Sequence, residues 1–250
     1  MTYRLIKKII IKGEIIAESG IMVGGSSSAF QIGGTDKQVI RNPINKMPYI
    51  PGSSLKGKMR SLLELSEGTI NSSRGNFGPT HDPNHIAAQL FGHIKNRDQN
   101  DNKSQQASRI IVRDSELKNA DDFNDTELLY TEVKAENSID RITSAANPRF
   151  FERVPKGAKF DLNIVINIFS HDKLKDDFLS AVFQSLKLVQ DDYLGGGGSR
   201  GNGQIRFEIS QVCSRSADYY TSKADATSLF DLVPEELQKK NRDEKDLQCN

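Results

Sequence analysis

Apolar and polar residues alternate without a break at Phe160, Leu162, Ile164, Ile166 and Ile168, and again at Ile205, Phe207 and Ile209. A two-residue period is the mark of a strand with one buried face. The isoleucine-rich stretch from Tyr3 to Ile16 reads as a further strand, and Arg109–Asp114 (RIIVRD) as a short one. Elsewhere the period lengthens. Leu55, Met59, Leu62 and Leu63 share one helical face, which predicts a helix over 53–65 entered through Pro51-Gly52, with serine at its N-cap. Leu174, Phe178, Val182, Leu186 and Val189 predict a second helix, and 84–91 a short one closed by Gly92. The order is strand, helix, strand, strand, helix, strand. This is an α+β chain on the split βαβ, ferredoxin-like (βαββαβ) plan that RNA-recognition domains also use.

The segments between these elements are polar. Gly24-Gly25 and Ser26–Ser28 form a loop leading to Asp36; 66–80 is rich in Gly, Ser and Asn and reads as loop. Residues 93–108 (with KNRDQNDNKSQQ) read as a mobile insertion. Residues 130–155 carry Lys134, Arg141, Arg149 and Arg153 among small residues, and read either as a strand pair projecting from the sheet or as a solvated loop. After Val212 the chain turns polar again, with a short helical stretch near 234–240, and the extension over 213–250 reads as a solvated end in preference to a partner-docking segment.

Net charge changes the picture only locally. The formal total is +1, so any nucleic-acid contact must come from patches. From Gly33 to Arg60 one acid, Asp36, faces Lys37, Arg41, Lys46, Lys56, Lys58 and Arg60. Ser53 and Ser54 at a helix N-terminus, with Lys56 and Arg60 one turn apart and Lys58 between them, predict a phosphate cradle. Asp36 reads as a partner for Lys37 or Arg41, as an Asx turn, or as a chemical group. The run GGGGSRGNG (Gly195–Gly203) follows a helix and precedes a strand. That order excludes a dinucleotide fingerprint, and no Gly-Lys-Ser/Thr ending makes it a P-loop. Six glycines exceed what a linking turn needs, so Gly196, Gly197, Gly198, Ser199 and Arg200 read as an approach to nucleic-acid phosphates or to a neighbouring chain. His81 and His85 stand four apart, but Pro83 breaks any helix beneath them and further ligands are lacking nearby. Cys213 and Cys249 show no disulfide or metal spacing, which fits a reducing cytoplasm. Neither a signal peptide nor a membrane span is expected.

Four blocks, GGTDKQVIRNP, MPYIPGSSLKGKMRSLLE, ENSIDRITSAANPRFFERVPKG and DDYLGGGGSRGNGQIRFE, together resemble the Csm-type backbone subunit of type III CRISPR effector complexes, in the RAMP superfamily. The resemblance spans most of residues 3–212. It implies a ferredoxin-like palm over 1–212, with a polar insertion at 66–108 and a β-hairpin thumb at 130–155. It also implies that copies stack as a filament on CRISPR RNA, with other type III effector subunits. Lys134, Arg141 and Arg149 then belong to the thumb, Lys56 and Arg60 contact the guide backbone, and the glycine loop lies beside that RNA. Asp36, in the loop before V-I-x-x-P, takes the place of the residue that cuts target RNA, with Mg²⁺ or another divalent cation that Asp36 would bind or orient. Two departures stand out. Met22 replaces a histidine common in relatives, and Ala88 stands where some relatives place a zinc ligand. A non-catalytic guide scaffold and a guide-precursor endoribonuclease are the competing functions.

Overall fold

The computed structural model describes residues 3–24, 38–73, 76–94, 105–126, 128–242, 246, 248 and 249. Asp36, Ser26–Ser28 and the central part of the polar insertion lie outside the described residues. In chain order the elements are β1 (Leu5–Ala17), β2 (Tyr49–Ile50), α1 (Gly52–Glu67), β3 (Asn71–Ser73), β4 (Asn76–Gly78), α2 (Ile86–Phe91), β5 (Ile110–Val112), β6 (Ser115–Glu116), β7 (Glu132–Ile139), β8 (Ala146–Arg153), β9 (Lys159–Phe169), α3 (Phe178–Asp191), β10 (Ile205–Ser216) and β11 (Thr227–Ser228).

One antiparallel sheet, ordered β11-β10-β1-β9-β5, organises the chain. Its inner face carries Ile9, Ile11 and Ile15 from β1 and Phe160, Leu162, Ile164 and Ile166 from β9, all buried. The buried faces of α1 (Leu55, Met59, Leu63) and α3 (Phe178, Val182, Leu186, Val189) join the same core. Strand β10 runs seven residues beyond Ile209, where the simple alternation stops. The reason is a bulge: Lys12 pairs with Gln211 and Gly13 with Ile209, leaving Ser210 as the extra residue. The inward set therefore changes from Ile205, Phe207 and Ile209 to Val212. Opposite the bulge a Cβ at Gly13 would lie 2.2 Å from the Glu208 carbonyl oxygen, so only glycine fits.

The structure corrects four expectations. Helix α1 begins at Gly52, with Pro51 rather than a serine at the N-cap position. The Gly52 N–H donates to Asp114 Oδ1 at 2.8 Å, so a carboxylate from the loop after β5 meets this helix end. Within the expected loop 66–80, β3 and β4 pair as a hairpin. The C-terminal region is not a solvated end. β11 pairs with Cys213 and Ser214, Val233 and Leu237 are buried in the core, and Lys239 N–H donates to Ile209 O at 2.9 Å. Two apolar anchors among charges have no period to read, so only docking reveals them. Finally, Cys213 and Cys249 form a disulfide, with Cα atoms 5.6 Å apart. Sequence spacing carried no trace of it because the tail folds back over β10. In oxidised protein the bond closes a loop across 36 positions, so Cys249→Ser is expected to lower stability by about 2–4 kcal/mol. Denaturant unfolding with and without dithiothreitol measures it, and the variant should be insensitive to the reductant.

A buried ion pair ties the exit of the polar insertion to the turn after β9. Arg109 and Asp172 have side chains 2% and 0% exposed, with the guanidinium 2.9 Å from Asp172 Oδ1. Asp172 Oδ2 also accepts the Phe169 N–H at 2.8 Å.

Candidate nucleic-acid interface

The glycine run forms its loop by backbone pairing. Leu194 N–H donates to Gly203 O (2.8 Å), Gly203 N–H to Gly20 O (2.9 Å) and Gly196 N–H to Met22 O (2.8 Å). Gly195 has φ +89°, and a Cβ there would meet Met22 O at 2.4 Å. At Gly198 a Cβ would overlap the Tyr193 ring at 2.1 Å. Packing alone thus requires glycine at Gly195 and Gly198, whatever the loop binds. Lys58 completes this side. Its Nζ lies 3.8 Å from the Tyr193 ring centroid and 2.8 Å from Asp192 Oδ2. Ser199 and Arg200 are exposed at the loop's crest.

A hairpin of β7 and β8 rises directly beside this loop. Among the described residues strands β7 and β8 pair only with each other, and residues 137–150 are all exposed. At the root, Lys134 Nζ donates to Arg200 O (2.9 Å) and Asn202 Oδ1 (3.2 Å). Arg200 in turn reaches Glu136 Oε2 at 3.0 Å. Arg153 Nη1 donates to Asn202 Oδ1 at 2.9 Å. Between hairpin and loop lies a groove of about 560 Å³ lined by Lys134, Glu136, Asn137, Arg149, Phe151 and Arg200. Arg149 sits opposite Glu136 in the ladder, and Arg141 is in the exposed tip turn. The Asp140 carboxylate closes that turn by accepting the Thr143 and Ile142 N–H groups (2.8 and 2.9 Å). Those bonds, Thr143's first, hold its pKa below the usual carboxylate value. A lone two-stranded ribbon is marginally stable in water. Amides 137–147 are therefore expected to exchange within seconds in the isolated protein while those of β1 and β9 stay protected, as hydrogen-exchange mass spectrometry would show.

The expected cradle on α1 divides. Lys56 Nζ donates to Ser108 Oγ at 2.8 Å; burial first, and Arg60 second, lower its pKa. Arg60 turns inward to buried Glu64 (2.8 Å) and to the Thr80 carbonyl (3.0 Å). Both therefore face the insertion side, away from the glycine loop, and Lys58 alone of the three reaches that loop's approach. Ser53 is exposed and Ser54 half-buried at the start of the helix. His85 Nε2 stands 3.8 Å from Asp82 Oδ2. Among the described residues no group of three or more His, Cys, Asp or Glu is placed to hold a metal ion.

The loop that carries Asp36 is rooted at this same place. Gly24 pairs antiparallel with Val39, and Ile40 N–H donates to Val23 O at 3.0 Å. Met22, the neighbour of Val23, is the acceptor for the glycine loop. The returning limb is held by Glu152 of β8, whose Oε2 accepts the Val39 N–H at 2.9 Å and whose Oε1 meets Arg41 at 2.6 Å. Sequence reasoning missed Glu152, Glu136, Asn202 and Tyr193. Each acts on a partner distant in the chain, so no local spacing marks it.

Comparison with known proteins agrees with this architecture. The RAMP superfamily matches residues 14–206. The chain is 37% identical over 240 residues to the CRISPR system Cms endoribonuclease Csm3 of Methanothermobacter thermautotrophicus, covering 92% of this chain and 95% of that protein. Its Streptococcus thermophilus counterpart is 38% identical over 233 residues, covering 92% and 98%. The crystal structure of Methanopyrus kandleri Csm3 superposes with a TM-score of 0.61 at 24% identity, covering 98% and 92%, a likeness of fold. Csm3 and Csm4 have also been solved together, as a subcomplex of the type III-A CRISPR-Cas interference complex. That structure matches with a TM-score of 0.55 at 26% identity, covering 90% of each chain. This chain belongs to the RAMP superfamily and, within it, to the Csm3 family of type III CRISPR systems.

Proposed function

We propose that this chain is the guide-RNA-binding backbone subunit of a type III interference complex and cuts target RNA at Asp36. The observation that carries the proposal is a convergence at two consecutive residues: Met22 O holds the glycine loop and Val23 O holds the limb returning from Asp36. The thumb closes on the same spot through Lys134, Arg153 and Glu152. Val39, three residues after Asp36 in the chain, is itself fixed at this junction by Gly24 and Glu152.

In this reading the sheet is a ferredoxin-like palm, because the four long-range strands β1, β5, β9 and β10 lie in the order fourth, first, third, second with α1 and α3 as crossovers. Guide phosphates run past Lys58, Ser199 and Arg200, and Ser53, Ser54, Lys56 and Arg60 extend the guide contact along the other flank of α1, on the insertion side. Arg141, Lys134 and Arg149 follow the duplex up the thumb, and Gly196, Gly197 and Gly198 let the backbone approach it closely. Base pairing supplies the sequence specificity, and the protein reads backbone and shape. Copies of the chain and other type III subunits, a Csm4-like protein among them, are its partners in the cytoplasm.

For the reaction, the thumb splays the target so that a ribose 2′-OH lies in line with the adjacent phosphate. Attack forms the 2′-O–P bond and breaks the P–O5′ bond, giving a 2′,3′-cyclic phosphate and a 5′-oxygen that takes a proton from solvent. Asp36 takes the 2′-OH proton or orients a divalent cation. The carboxylates described nearby, Glu136 and Glu152, are committed to cations, so Asp36 with RNA phosphate oxygens would supply the ligands. When bound, such an ion neutralises charge developing on the phosphoryl oxygens. Assembling complexes with Asp36→Ala tests the proposal. Lost cleavage with normal guide content supports it, whereas unchanged cleavage leaves the scaffold function.

A further inference from the structure

Glu152 is 4% exposed and accepts three hydrogen bonds at the thumb root. Arg41 Nη2 (2.6 Å) and Thr131 Oγ1 (2.7 Å) donate to its Oε1, and Val39 N–H (2.9 Å) to its Oε2. Arg41 uses Nη1 on two carbonyls, Lys46 O at 2.9 Å and Leu129 O at 2.8 Å. The participants fall in two groups. Leu129, Thr131 and Glu152 belong to the base of the thumb, whereas Val39, Arg41 and Lys46 belong to the limb returning from Asp36. The planar fork of arginine fixes angle as well as distance, which an ammonium would not. A buried, fully bonded carboxylate of this kind specifies one geometry.

We propose that Arg41 and Glu152 are positioning residues for cleavage, clamping the Asp36-bearing limb to the thumb so that the thumb sets where the aspartate stands. The proposal rests on Asp36 being the cleaving residue. A clamp of this kind makes cutting depend on correct seating of the thumb, and it places no group on the RNA itself.

The test uses assembled, guide-loaded complexes carrying Arg41→Lys, Glu152→Gln, both together, or Thr131→Val, each also in an Asp36→Ala background. Single-turnover target cleavage, guide content and target affinity are measured. Arg41→Lys and Glu152→Gln are each expected to slow cleavage about 10–100-fold, since misplacement by an ångström costs that much. Guide content and target affinity should stay within about twofold. The double variant should be no slower than the slower single, because both changes release one limb. Neither should reduce further the residual rate of Asp36→Ala. If Glu152→Gln fails to assemble, Arg41→Lys and Thr131→Val carry the test, with slowing expected in both. Cleavage within about twofold of wild type in these variants, while Asp36→Ala abolishes it, overturns the clamp and leaves the Asp36 assignment standing. Losses of guide content that track the loss of cleavage also overturn it, by making the role structural. Wild-type cleavage by Asp36→Ala overturns the assignment itself, and the clamp with it.

Discussion

Asp36→Ala is expected to slow target-RNA cleavage by the assembled complex about 10²–10⁴-fold, the range for removing a positioned proton acceptor. Guide content should not change, because the cations that line the interface, Lys58, Lys134, Arg149 and Arg200, keep their places without it. Affinity for target should likewise hold, since base pairing and phosphate contacts supply it. Gel analysis of end-labelled target under single-turnover conditions separates the two quantities. Asp36→Asn sharpens the result. It preserves size and hydrogen bonding but removes the basic, ligating carboxylate, so its rate should match that of alanine. An asparagine variant cutting near the wild-type rate would reduce Asp36 to a loop-shaping residue.

The largest effect on stability is expected at the buried ion pair of the turn after β9. Arg109→Ala should destabilise the fold by about 3–5 kcal/mol, because it leaves the Asp172 carboxylate buried without its cation. The loss has a second part. The guanidinium packs 4.6 Å from the Phe169 ring centroid and also meets His171 Nε2 at 3.0 Å. Removing both charges tests the mechanism directly. Arg109→Met with Asp172→Leu should recover most of the stability, since the cost lies in an unpaired charge rather than in lost attraction. Urea unfolding followed by circular dichroism gives the comparison. A double variant no more stable than Arg109→Ala would refute the uncompensated-charge explanation.

How much could be read before folding depended on the range over which each residue acts. The two long helices and β9 were legible because their burial is periodic over many residues, and their observed ends differ from expectation by only a few positions. β10 was cut short at Ile209 because the bulge at Ser210 breaks the period while leaving the strand intact. The glycine run was read as a phosphate approach from its number of glycines alone, whereas Gly195 and Gly198 also answer to Met22 and Tyr193, which no local pattern shows. Helical spacing put Lys56 and Arg60 on one flank, yet which way that flank faced depended on Ser108, Glu64 and Thr80.

By itself, then, the sequence determined the kind of elements, their order and the presence of an acid among cations before α1. Those properties follow from side-chain period and local charge. Only the tertiary structure decided that the disulfide joins Cys213 to Cys249, that Lys58 rather than Arg60 meets the glycine loop, and that Glu152 anchors the limb from Asp36. Each of these is a meeting of residues 36 to more than 130 positions apart, and such meetings are set by how the sheet orders its strands, which no local pattern encodes.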